Sequence, residues 1–215
     1  VNFPDVLVLA DSYQVSVPVP FVPGSEFAGV VDEVGSPGTG FSVGDRVSGV
    51  AMVGAFAERV VVDAAVLSPV PEGLDLFTAA ASGVAHHTAY HTLRSAGRLQ
   101  AGEELVVLGA GGGVGLAAVQ LGVHLGATVT AVASTPDKLA AAAGYGASRL
   151  IDHTAGDLRA ALRTELPDGS DVVVDPVGGH LSEPALRSLR RGGRFVTVGF
   201  ASGVIPRIPL NLVLL

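Results

Sequence analysis

The densest chemical signal in this sequence is Gly109-Ala110-Gly111-Gly112-Gly113-Val114-Gly115. It follows the apolar run Leu105-Val106-Val107-Leu108 and precedes Leu116-Ala117-Ala118-Val119-Gln120. Strand, glycine turn and helix is the context in which glycines let backbone approach a pyrophosphate. The helix N-terminus there offers free N–H groups and the positive end of its dipole. The spacing is not a strict G-x-G-x-x-G; it reads G-x-x-G-x-x-G on Gly109, Gly112 and Gly115. Gly109, Gly112, Gly113, Val114 and Gly115 are therefore candidate cofactor-binding residues. The plainer reading is a glycine turn that only packs helix on strand.

A dinucleotide site that prefers NAD carries Asp or Glu at the end of the second strand, about twenty residues on, for the ribose 2′-hydroxyl. Here that region reads Ala131-Val132-Ala133-Ser134-Thr135-Pro136-Asp137-Lys138. Ser134 stands where the acid is expected, and Lys138 follows one helical turn later. A hydroxyl and an ammonium suit a 2′-phosphate, so NADPH is the expected cofactor. A solvated lysine at a helix start is the competing reading, and Asp137 counts against the assignment. His87 and His91, four apart on a predicted helix, superficially resemble a metal pair but have no third ligand nearby in sequence.

These residues need a scaffold, and the chain outlines one. From Val1 to about Pro71, short apolar runs are broken by Pro and Gly: Phe27–Val31, Gly44–Val47, Glu58–Val62 and Val66–Val70, with a turn at Gly35-Ser36-Pro37-Gly38. Short strands at this spacing predict a small β-barrel or sandwich. The Ala-rich, Pro-free stretch Leu76–Arg94 predicts a helix, with Ser82-Gly83 as a weak point. Beyond Glu104 the pattern alternates. Strands are expected at Leu105–Leu108, Thr128–Ala133, Arg149–Asp152, Asp171–Asp175 and Arg194–Val198. Helices are expected at Val114–Leu125, Pro136–Ala143, Asp157–Glu165 and Leu181–Arg190. Apolar strands alternating with helices predict a parallel sheet covered on both faces.

Composition removes several function classes. Hydrophobic residues are 48% and charged residues 15%, which excludes a disordered chain. A formal charge of −7 argues against a sequence-blind grip on nucleic-acid phosphates. With no cysteine there is no disulfide, no thiolate nucleophile and no Cys-ligated zinc. Between Glu104 and Asp137 there is no charged residue, a stretch that hydropathy alone would give to a membrane. Its many glycines, with Gln120 and His124, fit strand, turn and buried helix better, so no membrane partner is expected. Val1-Asn2-Phe3-Pro4 shows no signal-peptide pattern, and Asn211–Leu215 is an apolar run without a helix stop. The expectation is a chain cut at both ends, with Leu210, Leu212, Val213 and Leu215 at a broken sheet edge.

Motifs along nearly the whole chain are similar to the medium-chain dehydrogenase/reductase superfamily, specifically its zinc-independent quinone oxidoreductase branch. They are Val1-Asn2-Phe3-Pro4-Asp5-Val6-Leu7, Tyr13-Gln14, Pro23-Gly24-Ser25-Glu26-Phe27-Ala28-Gly29-Val30-Val31, Gly44-Asp45-Arg46-Val47, Gly54-Ala55-Phe56-Ala57-Glu58 and Thr88-Ala89-Tyr90. The glycine loop, Val174-Asp175-Pro176-Val177-Gly178-Gly179, Gly192-Gly193-Arg194 and Gly199-Phe200-Ala201-Ser202-Gly203 follow in the family's order.

The resemblance implies an incomplete GroES-like β-barrel lobe over residues 1–85 and a Rossmann-type NADP-binding domain over 86–215. In zinc alcohol dehydrogenases of the superfamily, Cys stands at the place of Asn2 and His at the place of Ser25; both are replaced, so no metal is expected. Hydride chemistry then needs an acceptor requiring little electrophilic help, such as a quinone or enone. By resemblance Asn2 and Thr88 lie near the nicotinamide and Tyr13 faces the substrate, while Gly178, Phe200 and Ser202 lie along the cofactor. Packing for Tyr13 and a backbone-bonded helix hydroxyl for Thr88 are the plainer readings. His153 stands where relatives often have Tyr beside the 2′-phosphate. A cytoplasmic protein that is a homodimer at full length is implied. An enoyl-thioester reductase, or a dinucleotide-binding fragment without turnover, are the alternatives.

Overall fold

The computed structural model describes residues 1–35, 38 and 40–214. Two compact units divide the chain, Val1–His87 and Thr88–Leu215. Within the first, helix α1 (Phe3–Leu9) precedes strands β1 (Glu26–Val30), β2 (Arg46–Val50) and β3 (Leu67–Pro69). The strands form one antiparallel sheet in the order β1-β2-β3, with Glu26 opposite Val50 and Val47 opposite Pro69. Helix α2 (Leu76–Tyr90) follows and widens into a π-helical turn over His91–Ala96. Asp75 starts α2: its carboxylate accepts from the Thr78 amide and hydroxyl, which holds its pKa below the ordinary range.

The expected barrel lobe is represented among the described residues by this three-stranded antiparallel sheet. Other expectations for this unit need correction. The expected strand at Glu58–Val62 is irregular and Val61 is fully exposed, because no described strand lies beside it to take its backbone hydrogen bonds. Ser82-Gly83 does not break α2. The turn expected at Gly35–Gly38 falls partly on Ser36 and Pro37, outside the described residues. Helix α1 is an addition to the sequence reading; the Asp5 carboxylate accepts the Asn2 amide at 2.7 Å and Pro4 sits in its first turn.

The second unit is a five-stranded parallel sheet. Its strands are β4 (Glu104–Leu108), β5 (Thr128–Ala133), β6 (Arg149–Asp152), β7 (Ser170–Asp175) and β8 (Leu189–Thr197), in the order β6-β5-β4-β7-β8. Helices α3 (Gly113–His124), α4 (Pro136–Gly144), α5 (Leu158–Glu165) and α6 (Ser182–Leu186) connect them. Numbered from β4, the order is 3-2-1-4-5, the doubly wound Rossmann-type arrangement. Residues 105–108 and 172–174 are fully buried, as central parallel strands require. One sheet face, carrying Val106, Leu108, Val132, Ile151 and Val173, packs Leu158 and Leu162 of α5 and Ala185 of α6. On the other face Gly122 of α3 lies over Leu105 and Val129, so close that a Cβ would fall 2.5 Å from Leu105 Cδ2.

The expected helix Leu181–Arg190 ends at Leu186, and the last strand starts at Leu189 rather than Arg194. The Ser170 amide donates to the Ser188 carbonyl at 2.7 Å and draws this segment to the sheet edge. A bulge then separates the Ser170–Leu189 and Val172–Arg194 pairings. A short helix, α7 (Asn211–Leu214), leaves Leu210, Val213 and Leu214 exposed; Leu215 lies outside the described residues. No described helix is long and apolar enough to cross a membrane, and residues 104–137 resolve into β4, α3 and β5.

Candidate dinucleotide site

The glycine loop turns at Gly109, whose φ of +60° lies in the left-handed region that glycine adopts freely. The Ala110 amide donates to the Val132 carbonyl, pinning the turn to β5, and the Gly112 amide donates to the Gly109 carbonyl. Gly112 is the extended N-cap of α3 and has no side chain to close the helix end. Among the described residues the amides of Gly113, Val114 and Gly115 have no acceptor, which leaves three donors and a helix dipole for an anion. A Cβ on Gly109 would fall 2.6 Å from Val177 Cγ2, so the loop also abuts the loop after β7.

At the end of β5, Lys138 Nζ donates to Ser134 Oγ at 3.3 Å. The stem of Lys138 crosses Gly111 so closely that a Cβ there would meet Lys138 Cβ and Cγ at 2.5 Å. Ser134 and Lys138 thus share the rim of the glycine loop, with Asp137 in the first turn of α4 beside them. Pro136 and the Thr135 cap, whose hydroxyl accepts the Lys138 amide, start α4 and fix that spacing.

His153 follows β6, and its amide donates to the Ala133 carbonyl beside Ser134. Its ring meets His180 edge-on at 6.3 Å between centroids. The neighbouring Asp152 carboxyl is held below its ordinary pKa by the Thr154 hydroxyl and amide, with a smaller contribution from His153. A recess of about 860 Å³ opens past His180, with Arg159, Arg187 and Arg207 on its walls.

Beyond β7, a residue with no role assigned from sequence organises the loop. Asp175 is fully buried; Oδ1 accepts the amides of Val177 and Gly178, and Oδ2 accepts the Ser182 hydroxyl at 2.6 Å. Gly178, at φ +72°, has Phe200 Cδ1 and the Val204 carbonyl where its Cβ would be, each at 2.8 Å. The Ser202 amide donates to the Val177 carbonyl. Gly178, Phe200 and Ser202 therefore form one cluster, joined to the glycine loop through Val177. A carboxylate closing an apolar strand, as in Val173-Val174-Asp175, was the available sequence signal for Asp175.

In the first unit, Asn2 Nδ2 donates to Glu26 Oε1 at 2.8 Å and more distantly to Ser25 Oγ at 3.5 Å. Glu26 Oε2 accepts the Val84 amide of α2 at 2.8 Å. Tyr13 is half-buried in the irregular chain after α1. Thr88, half-buried on α2, belongs to the second unit, and its hydroxyl makes no hydrogen bond among the described residues. His87 and His91 are exposed, and no three His, Asp or Glu among the described residues converge as metal ligands.

Comparison with known proteins matches the geometry. Residues 1–72 match the alcohol dehydrogenase GroES-like domain family, and residues 113–215 match the zinc-binding dehydrogenase family. The chain is 38% identical over 217 residues to quinone oxidoreductase-like protein 2 homolog from Nematostella vectensis, covering all of this chain and 59% of that protein. The Escherichia coli quinone oxidoreductase complexed with NADPH superimposes with a TM-score of 0.90 at 30% identity, over 99% of this chain and 66% of that one. The Thermus thermophilus quinone oxidoreductase, also solved in complex with NADPH, gives 0.82 at 36% identity, over 98% and 65%. The chain thus spans about three fifths of the curated relative's length. The chain belongs to the quinone oxidoreductase branch of the medium-chain dehydrogenase/reductase superfamily.

Proposed function

We propose that this chain carries the cofactor and substrate groups of an NADPH-dependent oxidoreductase that reduces a quinone or another conjugated carbonyl without a metal. One observation carries the cofactor assignment: Ser134 and Lys138 are joined at 3.3 Å on the rim of the glycine loop, where an NAD site would place an acid. The free amides of Gly113, Val114 and Gly115 fit a pyrophosphate, and the missing Cβ of Gly115 lets the first turn of α3 rest on the Gly109 turn that presents them. His153 adds an imidazole beside Ser134.

Bound NADPH supplies a hydride from the nicotinamide C4, and the acceptor takes up a proton from water or a side chain. The chain's own groups bind, orient and exclude. Asp175 holds the Val177–Gly178 amides so that Gly178, Phe200 and Ser202 line the cofactor. By resemblance, Asn2 and Thr88 are assigned to the nicotinamide end and Tyr13 to the substrate. The proposal of metal-free chemistry rests on the donor set at Asn2: an amide N–H facing a carboxylate, and a serine hydroxyl, are poor substitutes for the thiolates and imidazoles that hold zinc. A homodimer at full length, in the cytoplasm, completes the reading on resemblance alone.

An enoyl thioester is the second acceptor class: in the recess beside His180, where Glu183 pairs Arg187 and Asp157 adds a carboxylate, Arg159 and Arg207 are the cations that favour a phosphorylated carrier. NADPH oxidation by the full chain with 1,4-benzoquinone, 9,10-phenanthrenequinone and crotonyl-CoA separates the two. Turnover confined to the thioester would replace the quinone reading, and NADPH binding without any turnover would reduce the function to dinucleotide binding.

A further inference from the structure

Asn2 holds a candidate position beside the reacting groups, and an amide side chain can present either a donor or an acceptor. Its surroundings decide which. The partner of Asn2 is Glu26, an acceptor-only carboxylate, so the atom facing it at 2.8 Å must be the amide nitrogen. The remaining hydrogen of that nitrogen points toward Ser25 Oγ, 3.5 Å away. Oδ1 faces the Asp5 amide in the capping box of α1, and its second lone pair has no partner among the described residues.

Glu26 cannot yield, because its other oxygen is committed to the backbone. Glu26 Oε2 accepts the Val84 amide from within α2. The preceding residue is Gly83, and a Cβ there would lie 3.3 Å from Glu26 Oε2 and 3.2 Å from Val50 Cγ2. The glycine lets the carboxylate reach the helix, and a backbone amide cannot reverse its polarity. One carboxylate thus links α1, β1 and α2 and faces donors on both sides.

We infer that Glu26 is a positioning residue that sets the polarity of Asn2, holding Nδ2 inward and leaving Oδ1 as an acceptor for an N–H or O–H of the bound ligand. The inference rests on the reading of Asn2 as a group that touches ligand. It also removes Asn2 from one role: the charge developing on an acceptor carbonyl is stabilised by another donor, a hydroxyl or water.

The polarity can be reversed and restored by substitution in the full chain. In Glu26→Gln, the Val84 amide claims the Gln oxygen, the Gln nitrogen faces position 2, and Asn2 turns over to present a donor outward. The bonds at position 26 are kept and only the Asn2–Asp5 capping contact is given up, so melting temperature falls by no more than a few degrees. Activity falls by about tenfold or more, the scale of a hydrogen bond to a ligand. Asn2→Asp alone sets two carboxylates face to face and lowers both stability and activity. Asn2→Asp combined with Glu26→Gln matches every donor to an acceptor, presents an oxygen outward again, and restores most of the lost kcat/KM. Side-chain amide NMR gives a readout independent of turnover: the Asn2 NH2 pair is protected from exchange in the wild type and shifts in Glu26→Gln.

A double variant no more active than Glu26→Gln alone overturns the inference, as does an Asn2 amide unchanged by Glu26→Gln. Asn2→Ala with full activity overturns the underlying reading of Asn2. A wild type that turns over no acceptor overturns the proposed function, while the NMR comparison still decides the polarity.

Discussion

A Cβ on Gly115 would lie 2.1 Å from the carbonyl oxygen of Gly109, closer than any side chain tolerates. The first turn of α3 therefore rests directly on the turn that leaves β4, and this approach aims the free amides of Gly113 and Val114. Gly115→Ala must push helix and turn apart. Overpacking of this kind costs about 1–3 kcal/mol. The variant should melt at lower temperature and lose NADPH affinity, measured by thermal denaturation and fluorescence titration; unchanged affinity would show that the contact does not shape the cradle.

Lys138 reaches Ser134 across Gly111, so its ammonium sits on the loop rim rather than loose in solvent. Lys138→Ala should weaken NADPH binding by ~1.5–3 kcal/mol, the range for a hydrogen bond to a charged group. NADH, lacking the 2′-phosphate, should be little affected. Calorimetric titration with both cofactors checks it, and equal losses would refute the 2′-phosphate assignment.

The parallel sheet was legible because β4, β5 and β7 are unbroken apolar runs, and a strand buried on both faces has no other composition available. The glycine loop and the Ser134–Lys138 pair were legible for a related reason: their spacing lies within one turn of chain. What escaped was tertiary. Glu58–Val62 has the composition of a strand but no described neighbour to pair with. Leu181–Arg190 has helical composition, yet Ser170 captures Ser188 for the sheet across eighteen residues. Glu26 and Asp175 stood inside quoted motifs without a role, because their partners are set by folding. Val84 lies fifty-eight residues from Glu26, and no local pattern announces that bond.

Thr130 is fully buried in β5, and its hydroxyl is the one buried side-chain polar atom without a partner among the described residues. An unsatisfied buried hydroxyl costs about 1–3 kcal/mol. Thr130→Val removes it at nearly constant shape in a strand where β-branched residues are favoured. Stability to urea should rise by about 1 kcal/mol, within the same range. A fall in stability would mean that the hydroxyl has a hydrogen-bond partner, such as buried water.

Arg194 and Glu103 tie the start of β8's regular pairing to the edge of β4. Two guanidinium nitrogens reach the carboxylate, at 2.9 and 2.5 Å, and Nε donates to the Gly97 carbonyl at 2.8 Å. Both side chains are largely shielded from solvent. The Arg194 hydrogen bonds hold the Glu103 carboxyl below its ordinary pKa, assisted by the Gln100 amide. A carboxyl lowered in the folded state binds protons less readily there than when unfolded. Its stabilisation is therefore complete above the unfolded value and is lost as pH falls through the folded one, roughly from pH 5 downward. Arg194→Met should destabilise the protein at neutral pH by about 1–3 kcal/mol, since the Gly97 carbonyl and Glu103 both lose a partner. Below about pH 4 the gap between variant and wild type should narrow, because acid removes from the wild type what the substitution has already removed. Urea melts of both proteins across this range decide it: parallel curves with a constant offset would locate the cost in lost packing of the arginine stem rather than in its pairing with Glu103.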